Sequence, residues 1–169
     1  LSLLVEMLRG KGTALVGVSL VTDDYDRAVG MTMELKRRLG VPVIWGGAHV
    51  NIKPEESLRH ADMVCLGEGE DALLELVQQM SVTGKAEPTV RNIWFNTENG
   101  IVRNALPPLE ENLDKLPFPD FDFDTQYIMD ENGVAAMTDG KLNSEYSIMT
   151  SRGCPYDCQY CYNSYRRKQ

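Results

Sequence analysis

Val41-Pro42-Val43-Ile44-Trp45-Gly46-Gly47-Ala48-His49 is the stretch on which the fold turns. Five residues from Val41 to Trp45 without a polar break read as a strand buried on both faces, and the glycine pair as the turn out of it. Upstream, Ala14-Leu15-Val16-Gly17-Val18-Ser19-Leu20 reads as a second such strand. Between the two, Asp23 and Asp24 offer N-caps to a helix running to about Leu39. Its apolar positions are Val29, Met31, Met33, Leu35 and Leu39, and Gly40 ends it. Before that, Leu3, Leu4, Val5, Met7 and Leu8 mark a short amphipathic helix over 3–9, closed by Gly10 and Gly12.

Downstream the alternation continues. Pro54-Glu55-Glu56 opens a helix with proline and acids where the first turn favours them, and His60 is expected to cap its carbonyl end. Asp62-Met63-Val64-Cys65-Leu66 makes a third strand and runs into Gly67-Glu68-Gly69-Glu70. A helix from Asp71 to about Met80 follows, with Leu73, Leu74, Leu76 and Val77 expected on its inner side. Strands alternating with helices through short loops predict an open α/β layer with a parallel sheet and right-handed crossovers. Three strands are few for such a layer, so further strands are expected before residue 1.

After this layer, Asn92–Asn96 and Ile101–Arg103 flank Thr97-Glu98-Asn99-Gly100, a hairpin signal. Pro107-Pro108 and Leu113-Asp114-Lys115-Leu116-Pro117-Phe118-Pro119-Asp120 exclude a helix or a central strand. Residues 106–145 therefore read as an extended connector, tacked down by Phe118, Phe121 and Phe123. Asp120, Asp122 and Asp124 alternate with those phenylalanines as the wet side of an extended strip. Tyr146-Ser147-Ile148-Met149-Thr150 reads as a strand that leads straight into a cysteine loop.

That loop is Ser151-Arg152-Gly153-Cys154-Pro155-Tyr156-Asp157-Cys158-Gln159-Tyr160-Cys161. Thiolates bind iron, and a short loop is able to fold three sulfurs around one face of a cluster. Three ligands within eight residues leave a fourth iron without a nearby protein donor, which is what chelation of a small molecule requires. A zinc site would want a second cysteine pair, which is missing. A ferredoxin-like cluster would need a fourth cysteine, and Cys65 sits inside an apolar run where a small core residue is the simpler reading.

Cys154, Cys158, Tyr160 and Cys161, following a strand, match the Cys-x₃-Cys-x₂-Cys motif of the radical S-adenosylmethionine (radical SAM) superfamily, which this segment resembles. The resemblance implies that the three cysteines hold a 4Fe-4S cluster whose open iron chelates S-adenosylmethionine. It also implies that Tyr160 meets the adenine through its backbone, and that an electron from flavodoxin or ferredoxin drives reductive cleavage to a 5′-deoxyadenosyl radical. The protein then positions and shields the cofactor.

The order of features upstream adds to this. Val16-Gly17-Val18-Ser19, Gly46-Gly47-Ala48-His49, Gly67-Glu68-Gly69-Glu70, Asp114–Pro119 and Ser151–Pro155 together resemble the cobalamin-binding class of that superfamily. By this resemblance the fold is a partial Rossmann-like (flavodoxin-like) sheet with a hairpin and connector, then the first strand and cluster loop of a partial (β/α) barrel. The divisions are 1–105 as a cobalamin-binding-like domain, 106–145 as connector and 146–169 as the start of the radical SAM domain. Ser19, Thr22, Gly46, Gly47, Gly67, Glu68 and Gly69 would border the nucleotide tail of cobalamin, since ligands of open α/β sheets sit beyond the carboxyl ends of the strands. The cobalt-ligating Asp-x-His-x-x-Gly motif does not occur, and His49 reads as a loop hydrogen-bonder rather than a ligand. Glu68 and Glu70 are explained by the acid preference of a helix N-terminus.

The totals agree with this class. The chain has 169 residues, 43% hydrophobic and 25% charged, with a net charge of −8 that disfavours a nucleic-acid partner. No apolar run is long enough to span a bilayer and no secretory signal is visible, so a cytoplasmic setting is the expectation. Leu1 and the short tail after Cys161 read as the ends of a piece of a longer protein, inactive by itself. The intact enzyme is expected to act on a small molecule at an unactivated carbon, as a methyltransferase or an oxidative cyclase. Two alternatives stay open: a radical SAM enzyme without cobalamin, methylthiotransferase-like, and a non-enzymatic iron–sulfur electron carrier.

Overall fold

The computed structural model describes residues 1–120, 123–130, 133–138 and 151–163. The chain begins with α1 (Ser2–Gly10), β1 (Val16–Ser19) and α2 (Tyr25–Leu39), continues through β2 (Val43–Gly46), α3 (Ala48–Ile52), α4 (Pro54–Ser57) and β3 (Met63–Cys65), and then reaches α5 (Glu70–Thr83). The hairpin β4 (Ile93–Thr97) and β5 (Gly100–Arg103) follows, and a second hairpin pairs β6 (Tyr127–Asp130) with β7 (Gly133–Ala136). The main sheet is open, in the order β1-β2-β3-β4-β5. Strands β1, β2 and β3 run parallel, β4 runs antiparallel to β3, and β5 turns back antiparallel to β4. This is the open α/β layer that the alternating pattern predicts, Rossmann-like as the resemblance implies, with the first hairpin extending the sheet beyond β3.

Period-2 alternation sends neighbouring residues of each strand to opposite faces of the sheet. Val43, Trp45 and Val64 pack with Val5, Leu35, Val50 and Leu58 under α1 to α4. Ile44, Met63, Cys65, Ile93 and Phe95 pack with Ala72 and Leu76 of α5 on the other face. Both β2 and β3 are buried throughout except at Gly46, as their apolar runs predict.

Strand β1 departs from the expectation of two-sided burial: Val16 and Val18 are half-buried while Gly17 and Ser19 are exposed. It is the edge of the sheet, and the α5 core reaches it only through Leu15. Helix faces also differ from the sequence reading. In α5 the buried residues are Ala72 and Leu76, while Leu73, Leu74 and Val77 are 39%, 58% and 51% exposed. A helix apolar on several sides carries no unique inner stripe, and here the i, i+4 pair 72/76 faces the sheet. In α2 Met33 points outward, and Thr32 takes the buried place beside Ala28 and Leu35.

His60 does not cap a helix. Helix α4 ends at Ser57, and the His60 ring stacks on Trp45 at 6.1 Å and meets Tyr25 edge-on at 5.9 Å. The connector is less plain than an extended strip. It holds a 3₁₀ turn at Leu113–Lys115 and the β6–β7 hairpin, which lies against α1 with Lys11 Nζ 4.8 Å above the Tyr127 ring. Phe118 tacks nothing down, being 98% exposed, whereas Phe123 is half-buried. Phe121, Asp122 and the expected strand 146–150 lie outside the described residues.

Candidate functional site

Parallel pairing brings the carboxyl ends of β1, β2 and β3 side by side, with Ser19 opposite Gly46 and Trp45 opposite Val64. The loops leaving those ends carry every residue expected near cobalamin, so Ser19, Thr22, Gly46, Gly47, Gly67, Glu68 and Gly69 gather at one end of the sheet. Backbone bonds join the first two loops: Leu20 N–H donates to Gly46 O at 3.1 Å, and His49 N–H to Leu20 O at 3.3 Å.

Gly47 sits where the two loops touch. Its φ is +94°, and a Cβ there would stand 2.6 Å from Leu20 O and 2.8 Å from Leu20 N, so only glycine lets the loops meet. Two asparagines to which the sequence reading assigns no such role complete the stitching. Asn51 donates from Nδ2 to Gly47 O at 2.9 Å and accepts the Gly67 N–H on Oδ1 at 2.7 Å. Asn92, in the left-handed region at φ 67°, donates to Glu68 O at 2.7 Å. Asn51 lies within α3 and Asn92 just before β4, and the spacing of either carries no sign of this role.

His49 lies 4% exposed in the first turn of α3, its Nδ1 3.3 Å from Thr22 Oγ1 and its ring 4.7 Å from that of Tyr25. It is a hydrogen-bonding residue at the start of a short helix rather than in a loop, and it is buried. Among the described residues, His49 Nε2 and Asn92 Oδ1 are buried polar atoms without a partner. A cleft of about 200 Å³ opens beside the same end of β1, lined by Val18, Ser19, Leu20, Asp24, Arg27 and Met31. Small-molecule pockets commonly hold roughly 300–1,000 Å³, so the cleft fits part of a large ligand rather than the whole. The open edge, the Ser19 hydroxyl and two leftover buried polar atoms make this end compatible with an extended polar group such as the tail of cobalamin. A larger cavity of about 460 Å³ lies at the opposite end of the strands, between Lys36, Pro42, Asp62 and Phe95. There Asp62 is engaged by Lys36 Nζ at 2.6 Å and Val43 N–H at 2.8 Å, an internal brace.

The cysteine loop is turned by Gly153, at φ 81°, and the Cys161 N–H donates to Cys158 O at 3.1 Å. Cys154 and Cys161 are half-buried, Cys158 is exposed, and none of the three is in a disulfide. Among the described residues no group of three or more His, Cys, Asp or Glu side chains converges as a metal site. The three sulfurs thus share one loop without forming a cradle, while their chemistry, three thiols and no disulfide, fits iron ligation. Tyr160, expected beside the adenine, is 93% exposed. Cys65 is the small core residue expected, and burial followed by the nearby charge of Glu70 pushes its thiol up to about 11.

Arg152 brings the two regions together. Its Nη1 donates to Glu68 Oε1 at 3.0 Å and its Nη2 to Glu70 Oε1 at 2.5 Å. Burial works to raise the Glu70 carboxyl, yet the Arg152 hydrogen bond and charge, with backbone donors, leave it below the usual carboxylate range. The two acids explained in the sequence by a helix N-terminus are therefore also the partners of the cysteine loop.

An open, mostly parallel layer with its functional loops at the strand ends defines a Rossmann-like nucleotide- or cofactor-binding class of protein. Residues 3–77 match the family described as B12 binding domain. An uncharacterized methyltransferase of Pyrococcus horikoshii is 34% identical over 155 residues, 89% of this chain and 31% of that protein. The bacteriochlorophyllide d C-8(2)-methyltransferase of Chlorobaculum tepidum is 27% identical over 150 residues, 87% of this chain and 27% of that protein. The chain thus spans less than a third of either curated relative. The radical S-adenosylmethionine methyltransferase TsrM of Kitasatospora setae shares the fold in two structures, with TM-scores of 0.52 and 0.51 and identities of 22% and 23%. These cover 60% and 59% of this chain, and 22% and 20% of TsrM. Together the findings make the chain similar to B12-binding domains and to part of two proteins named as methyltransferases. No helix among the described residues is long and apolar enough to cross a membrane.

Proposed function

We propose that this chain is the cobalamin-binding layer and cluster loop of a radical SAM methyltransferase. The observation that carries the reading is the 34% identity to a methyltransferase over 89% of the chain, a span larger than the B12-binding match alone. It favours methyl transfer over oxidative cyclisation. A TsrM structure has cobalamin and a [4Fe-4S] cluster bound, a pairing that suits the two regions of this chain.

In this reading the division at 105 and 145 separates the cobalamin layer, the connector and the radical SAM part. Ser19, Thr22, Gly46, Gly47, Gly67 and Gly69 offer backbone and hydroxyl groups to cobalamin, and Glu68 stands among them. Cys154, Cys158 and Cys161 hold the 4Fe-4S cluster, and Tyr160 lies beside S-adenosylmethionine. When bound, cobalamin supplies a methyl carrier and the cluster supplies the electron that cleaves S-adenosylmethionine. The chain's own residues orient: Asn51 and Asn92 fix the strand-end loops, and glycine at 47 lets them close. A small-molecule acceptor and a flavodoxin- or ferredoxin-type electron donor complete the scheme, which belongs to a cytoplasmic enzyme.

The test is anaerobic reconstitution of the full-length protein with iron, sulfide and hydroxocobalamin. One cobalamin and about four irons per chain, with cleavage of S-adenosylmethionine to 5′-deoxyadenosine, are expected. Zinc in place of iron, or failure to retain cobalamin under conditions where the fold is intact, overturns the reading.

A further inference from the structure

Both carboxylate oxygens of Glu68 are occupied from within the chain. Oε1 accepts from Arg152, and Oε2 accepts the Glu110 N–H at 2.8 Å. The backbone oxygen of the same residue accepts from Asn92. One residue of the β3–α5 loop therefore joins the connector, 42 residues on, and the cysteine loop, 84 residues on. Glu70, two positions on and the first residue of α5, takes the second arm of the Arg152 guanidinium.

Exposed ion pairs are worth little, because water and salt screen them. This one differs in burial and geometry. The Glu68 side chain is 14% exposed and that of Arg152 is 29% exposed. A planar guanidinium forked onto two carboxylates from different backbone positions fixes orientation as well as distance, which a lysine ammonium does not. Two acids facing one arginine leave a surplus negative charge, and the N-terminus of α5 lies where it offsets that surplus. Arg152 is also two residues before Cys154, so its anchorage is transmitted directly to the first sulfur.

We propose that Glu68, Glu70 and Arg152 form a latch that seats the cysteine loop on the carboxyl end of the sheet. Arg152 and Glu68 are positioning residues, and the Glu68 carboxylate is spent on the chain rather than on a ligand. The functional part of the inference rests on the reading above: the latch sets the separation between the cobalamin loops and the cluster loop.

Hydrogen exchange on this chain tests it, with peptides over 151–158 as the readout and β3 as the folding control. Arg152→Ala is expected to speed exchange over 151–158 at least ten-fold, and Arg152→Lys by an intermediate factor, with β3 unchanged. Glu68→Gln, which keeps an acceptor for Glu110, is expected to speed exchange alone but to add less than two-fold in the Arg152→Ala background, since coupled residues are not additive. Exchange within two-fold of the parent in Arg152→Ala, or fully multiplicative effects in the double variant, overturns the latch. In the full-length protein holding the one-electron-reduced, paramagnetic cluster together with cob(II)alamin, the spin–spin distance distribution is expected to broaden in Arg152→Ala at unchanged iron content; an unchanged distribution overturns the positioning role. Hydroxocobalamin retention is scored separately. A chain that shows the exchange pattern but never retains cobalamin keeps the latch and loses the functional reading.

Discussion

The Trp45 indole N–H donates to the Thr32 hydroxyl at 2.8 Å, with both side chains wholly shielded from solvent. This bond ties the inner strand β2 to α2 inside the larger core. Thr32→Val keeps the shape and removes the acceptor, leaving a buried indole donor unmade. A loss of about 1–3 kcal/mol is expected in urea unfolding, with Thr32→Ser less affected. Equal losses for Val and Ser would mean that methyl packing, rather than the hydrogen bond, sets the cost.

Gly47→Ala is expected to cost about 3 kcal/mol or more, since it combines a glycine-only conformation with contact against backbone that has no room to yield. Gly30→Ala makes the opposite case. Gly30 lies within α2 with nothing within 4 Å of its would-be Cβ, so alanine there should stabilise by about 1 kcal/mol. Thermal or urea unfolding of the two variants in parallel checks both signs.

Cys65 should resist alkylation where the loop cysteines do not. With its thiol pushed up to about 11, about one molecule in a thousand carries the thiolate at pH 8, and burial hinders attack further. Native iodoacetamide labelling followed by peptide mapping is expected to mark Cys154, Cys158 and Cys161 first. Because the proton is lost only as pH rises toward 11, Cys65 labelling should climb steeply above pH 10 or on unfolding. Labelling of Cys65 at the loop rate at pH 8 would contradict its placement in the core.

Iron loading separates the two cysteine groups in another way. Single Cys154→Ala, Cys158→Ala and Cys161→Ala variants of the full-length protein are each expected to lose most reconstituted iron, while Cys65→Ser retains it. If Cys65→Ser also loses its iron, a four-cysteine electron-carrier cluster becomes the better account.

Much of the layer was legible because apolar runs and glycine turns answer to local rules. Strands β2 and β3, the end of α2 at Gly40 and the β4–β5 hairpin all lie within a few residues of where the sequence puts them. Which side of a helix faces inward was less legible. Leu73, Leu74 and Val77 outnumber Ala72, yet the sheet takes the smaller residue because neighbouring elements set the rotation of α5. The β6–β7 hairpin was missed although Asn132-Gly133 is the same dipeptide signal as Asn99-Gly100; the prolines before it drew the whole segment toward an extended reading. Helix α3 was missed because Gly46-Gly47-Ala48-His49 reads as loop up to the next proline.

At the candidate site, the strand-end loops were visible as glycines following apolar runs. The roles of Asn51, Asn92 and Arg152 were not, since each depends on a partner brought near by the fold from at least 16 residues away. The acids at 68 and 70 were seen for their helix-end preference and missed for their long-range partner.

The Glu110 contact also has an entropic consequence for the chain. Closing a flexible loop becomes more costly with length, by about 0.6 kcal/mol for each doubling. Once Glu110 is pinned to Glu68, the free chain that must be gathered to bring Arg152 home is halved, from 84 residues to the remainder beyond the connector's anchor. The connector thereby acts as a halfway mooring, and loosening it should be felt at the cysteines although they lie far along the chain.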